Sequence, residues 1–70
     1  MNMRMLTAVI HREEDMYVAE CPEVGTVSQG DTVEEAVENL KEATELYLEE
    51  FPLAETEKPI LTVFEVPSHA

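Results

Sequence analysis

Seventy residues with sixteen acidic and four basic side chains carry a net charge of −12, the wrong sign for nucleic acid, whose phosphates are bound by lysine and arginine, and for anionic membrane surfaces. A single cysteine excludes an internal disulfide, and a chain this short builds only a marginal core unless a copy or partner adds to it. With no secretory leader and no long apolar run, the expected location is the cytoplasm, where so acidic a protein attracts basic protein partners.

Residues Met3 to Arg12 read as a first strand, with Leu6, Ala8 and Ile10 alternating with Thr7, Val9 and His11. Both faces are fairly apolar, so a central place in the sheet is expected. Glu13-Glu14-Asp15 is a polar break of hairpin length. Met16 to Cys21 is a second strand, interrupted by Pro22-Glu23, and Gly25 to Gln29 is a third, short and polar enough for an edge.

Gly30 breaks that strand, and Gly30 to Phe51 reads as one amphipathic helix. Thr32 lies three residues before Glu35, the spacing of a hydroxyl and a carboxylate that cap a helix start reciprocally. Val33, Ala36, Val37, Leu40, Ala43, Tyr47 and Phe51 recur at steps of three and four and predict the buried stripe. Pro52 ends the helix. A loop from Pro52 to Pro59 leads to a last strand, Ile60 to Val66, which alternates Ile60, Thr62, Phe64 and Val66 with Leu61, Val63 and Glu65. Pro67 closes it, ahead of a frayed tail from Ser68 to Ala70.

The order strand-strand-strand-helix-strand predicts one domain over residues 1–70, an α+β fold of two layers with the helix on one face of the sheet. A right-handed crossover brings the last strand parallel to the first, in the spatial order 3-2-1-4. One helix covers one face only. Val9, Val18, Leu61 and Val63 then fall on the open face, a reason to expect a homodimer or higher homo-oligomer.

Chemistry finds little support. His11 and Cys21 are the only nucleophile–base candidates, and hairpin geometry separates them by roughly 13 Å, beyond hydrogen-bond reach. Cys21 reads as a small buried apolar residue. His11, His69 and Cys21 lack zinc-type spacing. Glu20 with Asp31 or Glu35 is an imaginable hard-cation set, but so many carboxylates in so short a chain approach one another by chance. Gly25 to Gly30 matches G-x-x-x-x-G, yet Asp31-Thr32 follows where a phosphate loop needs Lys and Ser or Thr. Gly25 and Gly30 are read as turn residues. No catalytic residue, metal or cofactor is expected.

The other helix face is more telling. Glu34, Glu35, Glu38, Glu42, Glu45, Glu49 and Glu50 share it with a single Lys41. Glu34–Glu38, Glu38–Glu42 and Glu45–Glu49 are like-charge pairs at i,i+4, each a small cost, and Glu49 and Glu50 oppose the helix dipole. A face that weakens its own helix points to the docking of cations, with Glu34, Glu38, Glu42, Glu45 and Glu49 as the partner-binding residues. The bland alternative is a solvated face that only confers solubility.

From about Met5 to Glu50 the chain resembles the HicB-type antitoxin family in its short, single-domain form. The resemblance is carried by Tyr17, Cys21-Pro22, a glycine-led third strand, Gln29-Gly30-Asp31-Thr32, Glu35-Ala36, Asn39-Leu40 and Glu42-Ala43. It implies a partial ribonuclease-H-like fold with no catalysis of its own. It also implies a HicA-type toxin as partner, a small basic RNA-cleaving protein that the antitoxin binds and keeps from RNA. Many relatives have glycine where Met16 stands, and longer ones add a C-terminal DNA-binding segment. This chain ends at Ala70 with no basic strand or helix, so direct operator binding is not expected. The contrasting expectation is a structural or regulatory oligomerisation domain with no toxin partner.

Overall fold

The computed structural model describes residues 3–53 and 59–68. Strands β1 (Val9–Glu13) and β2 (Met16–Cys21) pair antiparallel with Glu13 opposite Met16, leaving Glu14 and Asp15 as a two-residue loop. Glu14 takes a left-handed φ of 55°, a geometry that two-residue hairpin loops demand and that a non-glycine residue adopts at a cost. Strand β3 (Thr26–Gly30) pairs antiparallel with β2, and the sheet runs β1-β2-β3. Between them, Gly25 turns the chain at a φ of 94° while its N–H donates to the Cys21 carbonyl at 2.7 Å.

Helix α1 (Val33–Glu50) begins and ends where its sequence directs. The Thr32 hydroxyl accepts from the Glu35 N–H at 3.0 Å. The Glu35 carboxylate reaches back past the cap to accept from the Asp31 N–H at 2.8 Å. At the other end the Phe51 N–H still donates to the Tyr47 carbonyl, and Pro52 follows.

The helix lies over β2 and β3 around a small core of Ala19, Cys21, Ala36 and Leu40. Their side chains are mostly small because the layers approach closely. At Gly30 an added Cβ would stand 2.6 Å from the Ala36 backbone nitrogen. Gly30 therefore ends a strand under the helix start rather than shaping a turn.

Three expectations need correction. The predicted stripe is rotated: Ala36, Leu40 and Thr44 are buried, whereas Val33, Tyr47 and Phe51 are exposed. Tyr47 and Phe51 instead stack on each other, ring centroids 5.0 Å apart. Thr44 turns inward because its hydroxyl finds the Thr26 hydroxyl at 2.7 Å, which satisfies both. The first strand, expected from Met3, is paired only from Val9, opposite Glu20. Beyond it β2 gives way to the Pro22 turn, so the Thr7 N–H and hydroxyl donate to the Glu23 carboxylate at 3.1 and 2.6 Å instead of to a strand.

The last strand is the third difference. Residues 59–68 form neither helix nor strand, and the sheet has no fourth member among the described residues. A strand exists through its ladder, and Ile60 to Val66 has no ladder partner among the described residues: Ile60 is 94%, Val63 91% and Phe64 83% exposed. The radius of gyration, 14.1 Å against about 11 Å for a compact chain of this length, reflects that projecting segment. His69 and most of the expected Pro52–Pro59 loop lie outside the described residues.

Candidate functional site

The site is built on α1, whose orientation is fixed from both sides of its buried stripe. Thr26 and Thr44 join their hydroxyls across the layers, and the Asn39 side-chain amide donates to the Gln29 carbonyl at 2.9 Å. Those two bonds hold the helix over β3 and turn the opposite face to solvent. Neither tie was anticipated, although Thr44 lies four residues after Leu40 and eight after Ala36, on their side of the helix.

Glu34, Glu38, Glu42, Glu45 and Glu49 are all exposed. At 3.6 residues per turn they fall within an arc of about 80°, and at 1.5 Å per residue they form a stripe roughly 22 Å long. Glu35 is also exposed but engaged at the helix cap. Lys41 borders the stripe. Among the described residues no lysine or arginine nitrogen comes within 4.0 Å of a carboxylate oxygen, the one acid–base contact being His11 with Glu13 at 2.8 Å. The Arg4 guanidinium donates to the Leu53 carbonyl and that of Arg12 to the Glu14 carbonyl. The stripe is thus a row of carboxylates with no ion-pair partner within 4.0 Å among the described residues.

Beside it runs an apolar groove of about 760 Å³, between the Met3–Ala8 segment and the flank of α1. Val37, Leu40, Thr44 and Leu48 form its helix wall, with Glu45 and Glu49 at its rim. The five predicted residues thus share one face, two of them also bordering the groove.

His11 and Cys21 do not meet. His11 pairs with Val18 on the open face of the sheet, and Cys21 is buried under the helix on the other. Burial, first of all, pushes the Cys21 thiol above its usual range, so it stays protonated and unreactive at neutral pH. Its neighbour Glu23 is held below the usual carboxylate range, chiefly by the hydrogen bond from Thr7. Glu20 lies on the open face, away from Asp31 and Glu35, and no cluster of three potential metal ligands occurs among the described residues. No helix there is long and apolar enough to cross a membrane.

No family model and no solved structure matches the chain. Curated relatives do. The chain is 40% identical over 58 residues to a UPF0150 protein of Synechocystis sp., covering 80% of this chain and 84% of that one. It is 51% identical over 45 residues to a UPF0150 protein of Helicobacter pylori, covering 63% of this chain and 62% of the relative. A second Synechocystis UPF0150 protein is also 51% identical over 45 residues, covering 61% and 57% respectively.

Proposed function

The chain belongs to the UPF0150 family, and we propose that it serves as a non-catalytic, cytoplasmic docking module of the HicB antitoxin type. Its ligand is a small basic toxin of the HicA kind, which it keeps from RNA. The single observation that carries this reading is the row of five exposed carboxylates with no basic partner within 4.0 Å among the described residues. Such a row offers negative charge along a straight line, as phosphates do, and so competes for the surface with which a basic protein would bind RNA.

The sheet is part of the same proposal. Ile60 to Val66 beside β1 would complete the order 3-2-1-4 of a partial ribonuclease-H-like fold, a reading supported by the segment's strand-like alternation. A structural oligomerisation role is a second reading, favoured by the exposure of Ile60, Val63 and Phe64.

Co-expression with candidate basic, RNA-cleaving proteins tests the docking reading. The wild-type chain should restore growth and the Glu38→Gln, Glu42→Gln, Glu45→Gln triple variant should not. Equal rescue by both would leave the carboxylates with no part in recognition.

A further inference from the structure

We propose that Ile60 to Val66 pairs with the β1 edge of a second copy of this chain, so that two chains exchange their last strands and each completes the other's sheet. The inference rests on the sheet order 3-2-1-4 proposed above and adds which chain supplies the fourth strand.

The donor and the acceptor are both present and unused in the single chain. The donor alternates apolar side chains on both faces, contains only one charged residue, Glu65, and leaves Ile60, Leu61, Val63, Phe64 and Val66 exposed. An exposed, apolar strand-like segment associates with something. The acceptor is β1, an edge of the sheet, together with the Met3–Ala8 segment that leads into it and borders the groove lined by Met3, Leu6, Val37, Leu40 and Leu48. A strand laid along that edge turns Ile60, Phe64 and Val66 to the side of the sheet that carries α1 and the groove. Leu61 and Val63 then extend the open face that already carries Val9 and Val18.

The placement of the segment, away from its own sheet, points to the second copy. A strand parallel to β1 starts at its Val9 end, the end that follows the Met3–Ala8 segment, where the Arg4 guanidinium holds the Leu53 carbonyl at 2.9 Å. The seven steps from Leu53 to Ile60 reach up to about 25 Å, enough to carry the segment to the sheet of a neighbouring copy. The longest dimension of the molecule is 48 Å, whereas α1 accounts for about 27 Å, consistent with a last segment that stands away from its own sheet.

The area is sufficient. One buried aromatic side chain removes on the order of 150–250 Å² from water. Two reciprocal segments of five large apolar residues each, with the grooves that receive them, reach the roughly 1,200–2,000 Å² of a stable interface.

Cross-linking between differently tagged chains, each given one cysteine besides Cys21, distinguishes the arrangements. Met5→Cys, Val9→Cys or His11→Cys, each in turn on one chain, is co-expressed with Val63→Cys on the other and oxidised gently. Neighbouring strands lie about 4.8 Å apart, within disulfide reach, and Cys21 is too buried to interfere. The expected result is a disulfide joining the two tags, a solution mass near twice 7.9 kDa for the unmodified chain, and a single-chain mass for Phe64→Glu with unchanged helical circular dichroism. A disulfide only when both cysteines sit in one chain, with the single-chain mass, means the segment closes on its own edge, which overturns the exchange but keeps the sheet order. No disulfide in either arrangement overturns both. Neither result bears on toxin rescue.

Discussion

Replacing Glu38, Glu42 and Glu45 together by glutamine should make the lone protein more stable and a poorer ligand for a basic partner. The three substitutions remove like-charge neighbours at i,i+3 or i,i+4 between Glu34–Glu38, Glu35–Glu38, Glu38–Glu42, Glu42–Glu45 and Glu45–Glu49. They also remove two attractive pairs, Glu38–Lys41 and Lys41–Glu45, so the balance is three repulsions relieved. At about 0.2–0.5 kcal/mol each, the gain is roughly 0.6–1.5 kcal/mol at low salt. For a domain this small, that raises Tm by about 3–10 °C. Binding moves the other way. Three surface ion pairs forgone, at about 0.2–1 kcal/mol each, weaken affinity roughly 3- to 150-fold. Thermal unfolding followed by circular dichroism at low and at high salt reads the first effect, which salt should largely erase. Titration calorimetry against the basic partner reads the second. A Tm that stays put or falls at low salt would refute the claim that this face burdens its own helix. Undiminished affinity would refute its use as a dock.

Gly30→Ala should destabilise the fold by about 1–3 kcal/mol in urea unfolding, because the new methyl meets the Ala36 nitrogen and the Glu35 carbonyl carbon, backbone atoms that cannot swing aside. Thr32→Ala should cost about 1 kcal/mol by removing the acceptor for the Glu35 N–H, and Thr32→Ser should recover most of it. Glu23→Gln should lower stability by about 1 kcal/mol near neutral pH, since a carboxylate accepts from Thr7 more strongly than an amide does. Because the folded Glu23 binds its proton less readily than the unfolded one, its contribution is complete above the unfolded value and disappears as pH falls through the lower folded value. The wild-type and variant stability curves should therefore converge only below about pH 4, and parallel curves down to pH 2 would contradict the assignment.

Where local chemistry decides, the chain is readable. The cap at Thr32, the stop at Pro52, the second strand and the exposed glutamates need only neighbours within four residues, and the structure has them as the sequence predicts. What fails involves distant partners. The helix rotates so that Thr44 rather than Tyr47 faces inward, because Thr26, eighteen residues away, offers a hydroxyl. The Met3–Ala8 segment carries a strand pattern but loses its ladder where β2 yields to the Pro22 turn, and a glutamate side chain takes over. Ile60 to Val66 has an equally clear strand pattern and no ladder partner among the described residues. Alternation states that a segment is able to pair; only the rest of the fold supplies something to pair with.

The two proposed associations differ in sign toward salt, which separates them without any mutation. Two copies of the chain each carry −12, so their mutual repulsion opposes exchange, and the nearly neutral segment from Ile60 to Val66 is the part of the molecule least subject to it. Screening that repulsion, with a Debye length that shrinks from about 30 Å at 0.01 M to about 8 Å at 0.15 M, should tighten the dimer as salt rises. A basic toxin on the glutamate stripe is held by the opposite force, and the same increase in salt should loosen it. Sedimentation of the chain alone and with its basic partner, across that range, should therefore give dissociation constants that move in opposite directions. If self-association also weakened with salt, ion pairs rather than apolar strands would be joining the copies, and the place to seek them would be the carboxylate row itself.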